Sequence, residues 1–190
     1  MKKNVLVLII FFCGMNFLCI WSRAQDLGQY ASLKEPQIRQ MPDQKMLVVE
    51  SKGDPNVAAQ SAFGLLYKTF FSLPGARMAP PRARWLNLAS ASKSEWLGLY
   101  GLPLSDQVTT LPPGSAGARI EVWKYGEVAE ILHIGGYDQE TPTIEKLIKF
   151  IKDRGYEIAG PHEEEYLKGP ESGTNAAEYQ TIIRYQIKKK

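Results

Sequence analysis

Two stretches of this chain carry the same run of apolar and polar positions. In residues 128–134, Val128, Ile131, Leu132 and Ile134 predict a strand, and Gly135-Gly136 ends it. A helix is predicted next. Thr141 can cap it, Pro142 suits a first turn where a missing N–H costs nothing, and Glu145 favours the dipole. Ile144, Leu147, Ile148 and Ile151 follow at helical spacing, and Gly155 stops the helix. Upstream, residues 45–52 predict a strand closed by Gly53-Asp54-Pro55. A helix over 56–72 then offers Val57, Phe63, Leu66, Tyr67 and Phe70 as its buried stripe. Residues 84–89 and 95–104 predict two further strands, and 36–42 a short extended segment.

A shift of 82 positions superimposes these patterns. Ile38 falls on Ile120, Met41 on Trp123, Val49 on Ile131, Gly53 on Gly135, and Leu65-Leu66 on Leu147-Ile148. One residue later in register, 95–104 falls on 178–187. Aliphatic coincidences are common, but a shared order of strand, glycine, helix and Glu-aromatic strand at nearly one offset predicts two repeats, 36–106 and 118–190. The Pro/Gly/Ser/Thr-rich segment 107–117 separates them. Two copies of strand–strand–helix–hairpin give an α+β fold, a mostly antiparallel sheet with helices on one face. A groove between pseudo-symmetric repeats is a common ligand setting.

The first 24 residues read as a targeting segment: Lys2-Lys3, a long apolar run, then Ser22-Arg23-Ala24 before a cut at Gln25. The other reading is an uncleaved membrane anchor, which would be the chain's one membrane partner. The expected organisation is a leader (1–24), a polar linker (25–35) and one domain (36–190), exported to the periplasm or cell exterior. Composition gains meaning from this. The formal charge is +3, but Lys2, Lys3 and Arg23 leave with the leader, and 20 basic residues then face 20 acidic ones. Nucleic-acid binding loses its electrostatic footprint. Both cysteines, Cys13 and Cys19, lie in the leader, which removes disulfides, thiol nucleophiles and thiolate metal sites.

The chemistry-bearing residues are few. In residues 163–167 a strand would put Glu164 and Tyr166 on one face and Glu163, Glu165 and Leu167 on the other. Two readings stand: Glu164 beside Tyr166 faces a groove and receives a cation or hydrogen-bond donor, or the acidic run is a solvated edge that discourages aggregation. His133, between Leu132 and Ile134, reads as a hydrogen-bonded structural histidine, and His162 as solvent-facing. No clustered histidines support zinc, so no metal and no cofactor is expected. Neither a Gly-x-Ser-x-Gly elbow nor a phosphate loop is present. Tryptophans and tyrosines on or beside strands of both halves supply candidate pocket walls.

His133-Ile-Gly-Gly-Tyr137, the helix after it, Gly155, Gly160, Glu164-Glu-Tyr166, Pro170 and the closing strand 178–187 resemble the GyrI-like small-molecule-binding domain, also the effector-binding domain of AraC-type and multidrug-sensing regulators. Residues 35–53 resemble the opening of such domains, so the resemblance spans about 35–188. It implies duplicated modules with a ligand groove between them. It also implies Glu164 as the pocket acid beside Tyr166, with Tyr137, Trp85, Trp96 and Trp123 as wall residues. Some relatives hydrolyse strained cyclopropane compounds with a pocket glutamate. The chain departs from the regulators in its leader and in having no DNA-binding helical domain before the first repeat. The SOUL haem-binding family is a more distant look-alike, without a convincing axial ligand here. The leading expectation is binding of a small apolar compound, cationic or aromatic, with Glu164 fixing its orientation. The alternatives are a hydrolase using Glu164 as general base and a protein-interaction module.

Overall fold

The two long aliphatic runs form strands at matching positions. In a computed structural model describing residues 27–88, 92–170 and 175–190, β1 spans Gln37–Met41 and β2 Gln44–Lys52, while β5 spans Ala118–Trp123 and β6 Gly126–Ile134. Moving β2 by 82 positions lands it on β6 end for end. Both strands stop at a glycine with positive φ, 132° at Gly53 and 140° at Gly135, where a side chain would be strained. Helix α1, Pro55–Phe71, then starts at Asp54, whose side chain accepts from the Asn56 N–H. Helix α2, Thr141–Asp153, starts at Glu140 without a side-chain cap. Thr141 is therefore the first helical residue, not the cap expected of it. Each half closes with a pair of strands: β3 (Arg82–Trp85) and β4 (Leu97–Pro103), then β8 (His162–Lys168) and β9 (Gln180–Lys189). The second half adds β7, Tyr156–Ile158, paired to the end of β9.

All strand pairs are antiparallel, in the order β1-β6-β9-β8-β3-β4-β2-β5. The order is symmetric: each half contributes its second, fourth and third strands, and its first strand crosses to the edge of the other half. The two halves meet where β3 pairs with β8, Ala83 opposite Glu164 and Trp85 opposite His162. The architecture is thus α+β, a mostly antiparallel open sheet with two helices, as expected.

Both helices pack on one face of the sheet. Leu66 and Phe70 of α1 join Leu47, Val49, Tyr100 and Leu102. Leu147 and Ile151 of α2 join Ile131, Ile183 and Ile187. Each such aliphatic side chain contributes about 1.5–3 kcal/mol by leaving water. Val57, expected in the buried stripe, is 74% exposed; the buried residues of α1 are Ala62, Leu66, Thr69 and Phe70. The segment read as a linker contains a 3-10 helix, Leu27–Lys34. The leader lies outside the described residues. Among the described residues no helix is long and apolar enough to cross a membrane.

The opposite face explains the acidic run. β8 is a central strand, so the solvated-edge reading fails: Glu163 and Glu165 point into a buried ionic network. Arg184 donates to Glu130 (2.8 Å), Glu163 (2.7 Å) and Glu165 (3.0 Å). Arg84 donates to Glu163 (2.7 Å), and its guanidinium lies 4.2 Å from the Trp123 ring centroid. Burial would raise the Glu163 carboxyl, but Arg184, Arg84 and Arg82 outweigh it and hold it below its ordinary range.

Candidate functional site

The β3–β8 crossing forms the floor of a cavity on the helix-bearing face. Alternation along β8 sends His162, Glu164 and Tyr166 into it. Ala83 pairs directly opposite Glu164 and is fully buried. Trp85, Trp96 and Tyr100 wall the side of the first half, Phe63 and Tyr67 of α1 lean over it, and Tyr137 and Glu140 come from the second half. The cavity measures about 760 Å³, a drug-sized volume. Its aromatic rings meet largely edge to face: Trp85 with Trp96 at 5.8 Å, Trp85 with Tyr100 at 5.7 Å, Phe63 with Tyr100 at 4.9 Å and Tyr137 with Tyr166 at 5.6 Å. Gly98 permits this packing, since a Cβ there would come within 3.0 Å of both Trp85 and Tyr100.

Two buried carboxyl groups in this cavity are pushed in opposite directions. Glu164 is 9% exposed. One oxygen lies 2.9 Å from His162 Nε2, and the other accepts from the Tyr166 hydroxyl at 2.5 Å. Burial would raise its pKa, but the hydrogen bond and electrostatic pull of His162, then the Tyr166 hydrogen bond, hold it below the ordinary carboxylate range. The Trp85 N–H lends weaker support from the same side, short of full hydrogen-bond geometry. With Glu164 ionised, His162 Nε2 is the donor, and Nδ1 faces the Tyr185 hydroxyl at 2.8 Å. Glu140 behaves in the reverse way. Burial first, then the neighbouring Glu164 carboxylate, pushes it up to about 9. At neutral pH the pair therefore holds one proton, on Glu140, and one negative charge, on Glu164. Burial, then Glu164, lifts Tyr100 and Tyr185 to about 12.

Of the residues singled out by sequence, Glu164, Tyr166, Tyr137, Trp85 and Trp96 come together here. Trp123 does not: it is buried on the opposite face, against Arg84, because Ala118 and Ile120 of β5 take the helix-bearing face and alternation sends Trp123 to the other. His162, expected at the surface, is 6% exposed and orients Glu164. Its i, i+2, i+4 relation to Glu164 and Tyr166 was the signal that could have placed it. Glu140 was missed outright, and only tertiary packing reveals it. His133 is buried as a structural histidine, Nδ1 2.9 Å from the Thr143 hydroxyl.

Glu140, His162 and Glu164 also place ligand-type atoms within 4.8 Å of one another, a grouping not foreseen when no metal was expected. Hydrogen bonds occupy both His162 nitrogens and both Glu164 oxygens. In this arrangement the cluster holds protons.

The sequence resemblance implied a ligand groove between the repeats, with Glu164 as its acid and Tyr166 beside it. Residues 99–188 match the model of the GyrI-like small molecule binding domain. The match covers nearly all of the second half, the segment before it and most of β4. The first half repeats the same element order outside the matched span. A hydrolase from Listeria innocua has a similar structure, with TM-score 0.71 and 20% identity over 85% of this chain and 95% of that one. An uncharacterized conserved protein from the same organism gives 0.70 and 22%, over 86% and 97%. The C-terminal domain of EcmrR gives 0.68 and 14%, over 82% and 98%. At these identities the likeness is one of fold. No curated protein matches the chain.

Proposed function

We propose that this protein binds a small, largely apolar compound bearing a cationic group in the cavity between its repeats. The observation that carries this reading is the ionised Glu164 carboxylate buried at the floor of an aromatic box. Aromatic faces attract a cation by ~0.5–2 kcal/mol each, and a carboxylate already oriented by His162 and Tyr166 pairs with it at little reorganisation cost. The GyrI-like match supports ligand binding as the class of function. A concave, aromatic-walled cavity weighs against a protein-interaction module.

The test is a tryptophan-fluorescence titration with benzyltrimethylammonium and its neutral isostere neopentylbenzene. The cation should bind more tightly, and replacing both Trp85 and Trp96 by Phe should remove most of the signal change. Equal affinities, or an unchanged signal without both tryptophans, would overturn the reading.

One observation favours hydrolysis as a second reading. Two carboxyl groups with pKa values driven apart supply an acid, Glu140, and a base or nucleophile, Glu164, in one pocket. One Listeria innocua protein of this fold is described as a hydrolase. Recovery of bound electrophilic compounds unchanged after prolonged incubation would count against it. The leader adds export to the proposal, with the mature chain starting at Gln25. Sequencing the N-terminus of secreted protein tests this, and a full-length, membrane-retained chain would contradict it.

A further inference from the structure

The cavity contains two buried carboxyl groups with oxygens within 4.8 Å of one another, where one would suffice to attract a cation. Glu140 is 6% exposed, and its Oε1 has no hydrogen-bond partner. It enters from the turn before α2, and Glu164 from β8 faces it. Two carboxylates this close cannot both stay ionised in a low-dielectric setting, so a proton between them stands in for a positive charge. An arriving cation offers the same compensation without the proton.

We infer that Glu140 and Glu164 form a proton-exchanging cation subsite, in which an organic cation enters the cavity as the proton held between the two carboxyl groups leaves to solvent. The inference rests on the cation-binding reading above and adds the role of Glu140 and the proton that it gives up. The exchange is balanced: one cation enters, the O–H bond at Glu140 breaks heterolytically, and the proton passes to buffer. Glu140 is then a specificity-determining residue. A neutral ligand leaves the proton in place and gains nothing from Glu140, whereas a cation that replaces the proton gains a second carboxylate.

Other titratable and charged groups around the pair come from every packed element. Tyr100 of β4 and Tyr185 of β9 keep their protons, being lifted to about 12 by burial and then by Glu164. Tyr166 of β8 is raised further by the same causes. Tyr137 and Asp138 in the turn, Tyr67 of α1, and Lys93 before β4 line the cavity. His162 also faces the pair, its Nε2 2.9 Å from Glu164. A proton count must therefore separate it from Glu140.

Isothermal titration calorimetry at pH 7 in buffers of different ionisation enthalpy does so. Benzyltrimethylammonium has no exchangeable proton, so any proton released comes from the protein. The wild type should release about one proton per cation bound and none with neopentylbenzene. With Glu140 near 9, cation affinity should rise about tenfold per pH unit from pH 6 to 8. Glu140→Gln keeps an amide donor toward Glu164 and should bind the cation with no proton release and a flat pH profile. Cation binding without proton release overturns the inference while leaving the binding reading intact. Undiminished release from Glu140→Gln places the released proton on another group and also overturns it. Zinc binding that displaces the cation and needs His162 would make this a metal site instead, and would likewise overturn the inference. If neither organic probe binds, the reading of the cavity falls and the inference with it.

Discussion

Glu140→Gln has a consequence for stability that needs no ligand. The Glu140 carboxyl has an ordinary value of 4.5 and is pushed up to about 9 in the folded chain, chiefly by burial and then by Glu164. Between those values the folded state holds a proton that the unfolded state has lost. The group's contribution is therefore fully present below about pH 4.5 and declines as pH rises toward 9. The slope for one proton is about 1.4 kcal/mol per pH unit. From pH 5.5 to 8 the wild type should lose about 3 kcal/mol from this residue alone, a large share of a domain's usual ~5–15 kcal/mol. Glutamine has no proton to hold. The stability difference, variant minus wild type, should thus grow with pH and favour the variant at pH 8. Subtracting one curve from the other cancels the histidines and the remaining carboxyls, which both chains share. Urea unfolding at half-unit pH intervals measures the difference, with an unchanged m value as the control. Parallel curves for the two proteins would refute the assignment of the shared proton to Glu140.

Two further outcomes follow from other parts of the fold. Arg184→Leu strands Glu130, Glu163 and Glu165 without their common partner, and should cost ~3–5 kcal/mol by urea unfolding. Arg39→Ala, at a half-exposed partner of Glu130, should cost below ~1 kcal/mol; similar losses for both would show that the network is hydrated. Gly98→Ala places a methyl within 3.0 Å of Trp85 and Tyr100 and should cost ~1–3 kcal/mol. It should also weaken probe binding by displacing those rings into the cavity. An unaffected affinity would mean that they yield elsewhere.

Much of the scaffold was legible because its signals are local. Residues 45–52 and 128–134 announce strands by their aliphatic runs, and Gly53 and Gly135 mark their ends by the backbone turn that each must make. The common offset then supplies the duplication. The site was legible in part. Alternation along β8 pairs Glu164 with Tyr166 whatever lies around them, but whether the strand is central or an edge depends on arginines far away in sequence. Arg84 is 79 residues from Glu163, and Arg184 is 21. Trp123 resembled the other wall residues because an aromatic residue on a strand reads the same on either face. Glu140 resembled an ordinary surface acid at a helix start. Its burial comes from the way that turn folds over β8, which no neighbour in sequence records.

The charge at the cavity floor is the central claim, and a single-site test is incomplete because either carboxyl can carry that charge once the other is neutral. Calorimetry of benzyltrimethylammonium and neopentylbenzene with the Glu140→Gln, Glu164→Gln double variant removes both. The cation should lose at least ~30-fold in affinity, corresponding to the ~2 kcal/mol lower bound for losing one side of a buried charge pair, while the neutral isostere binds as well as before or better. Equal losses for the two probes, or no loss for the cation, would contradict the account.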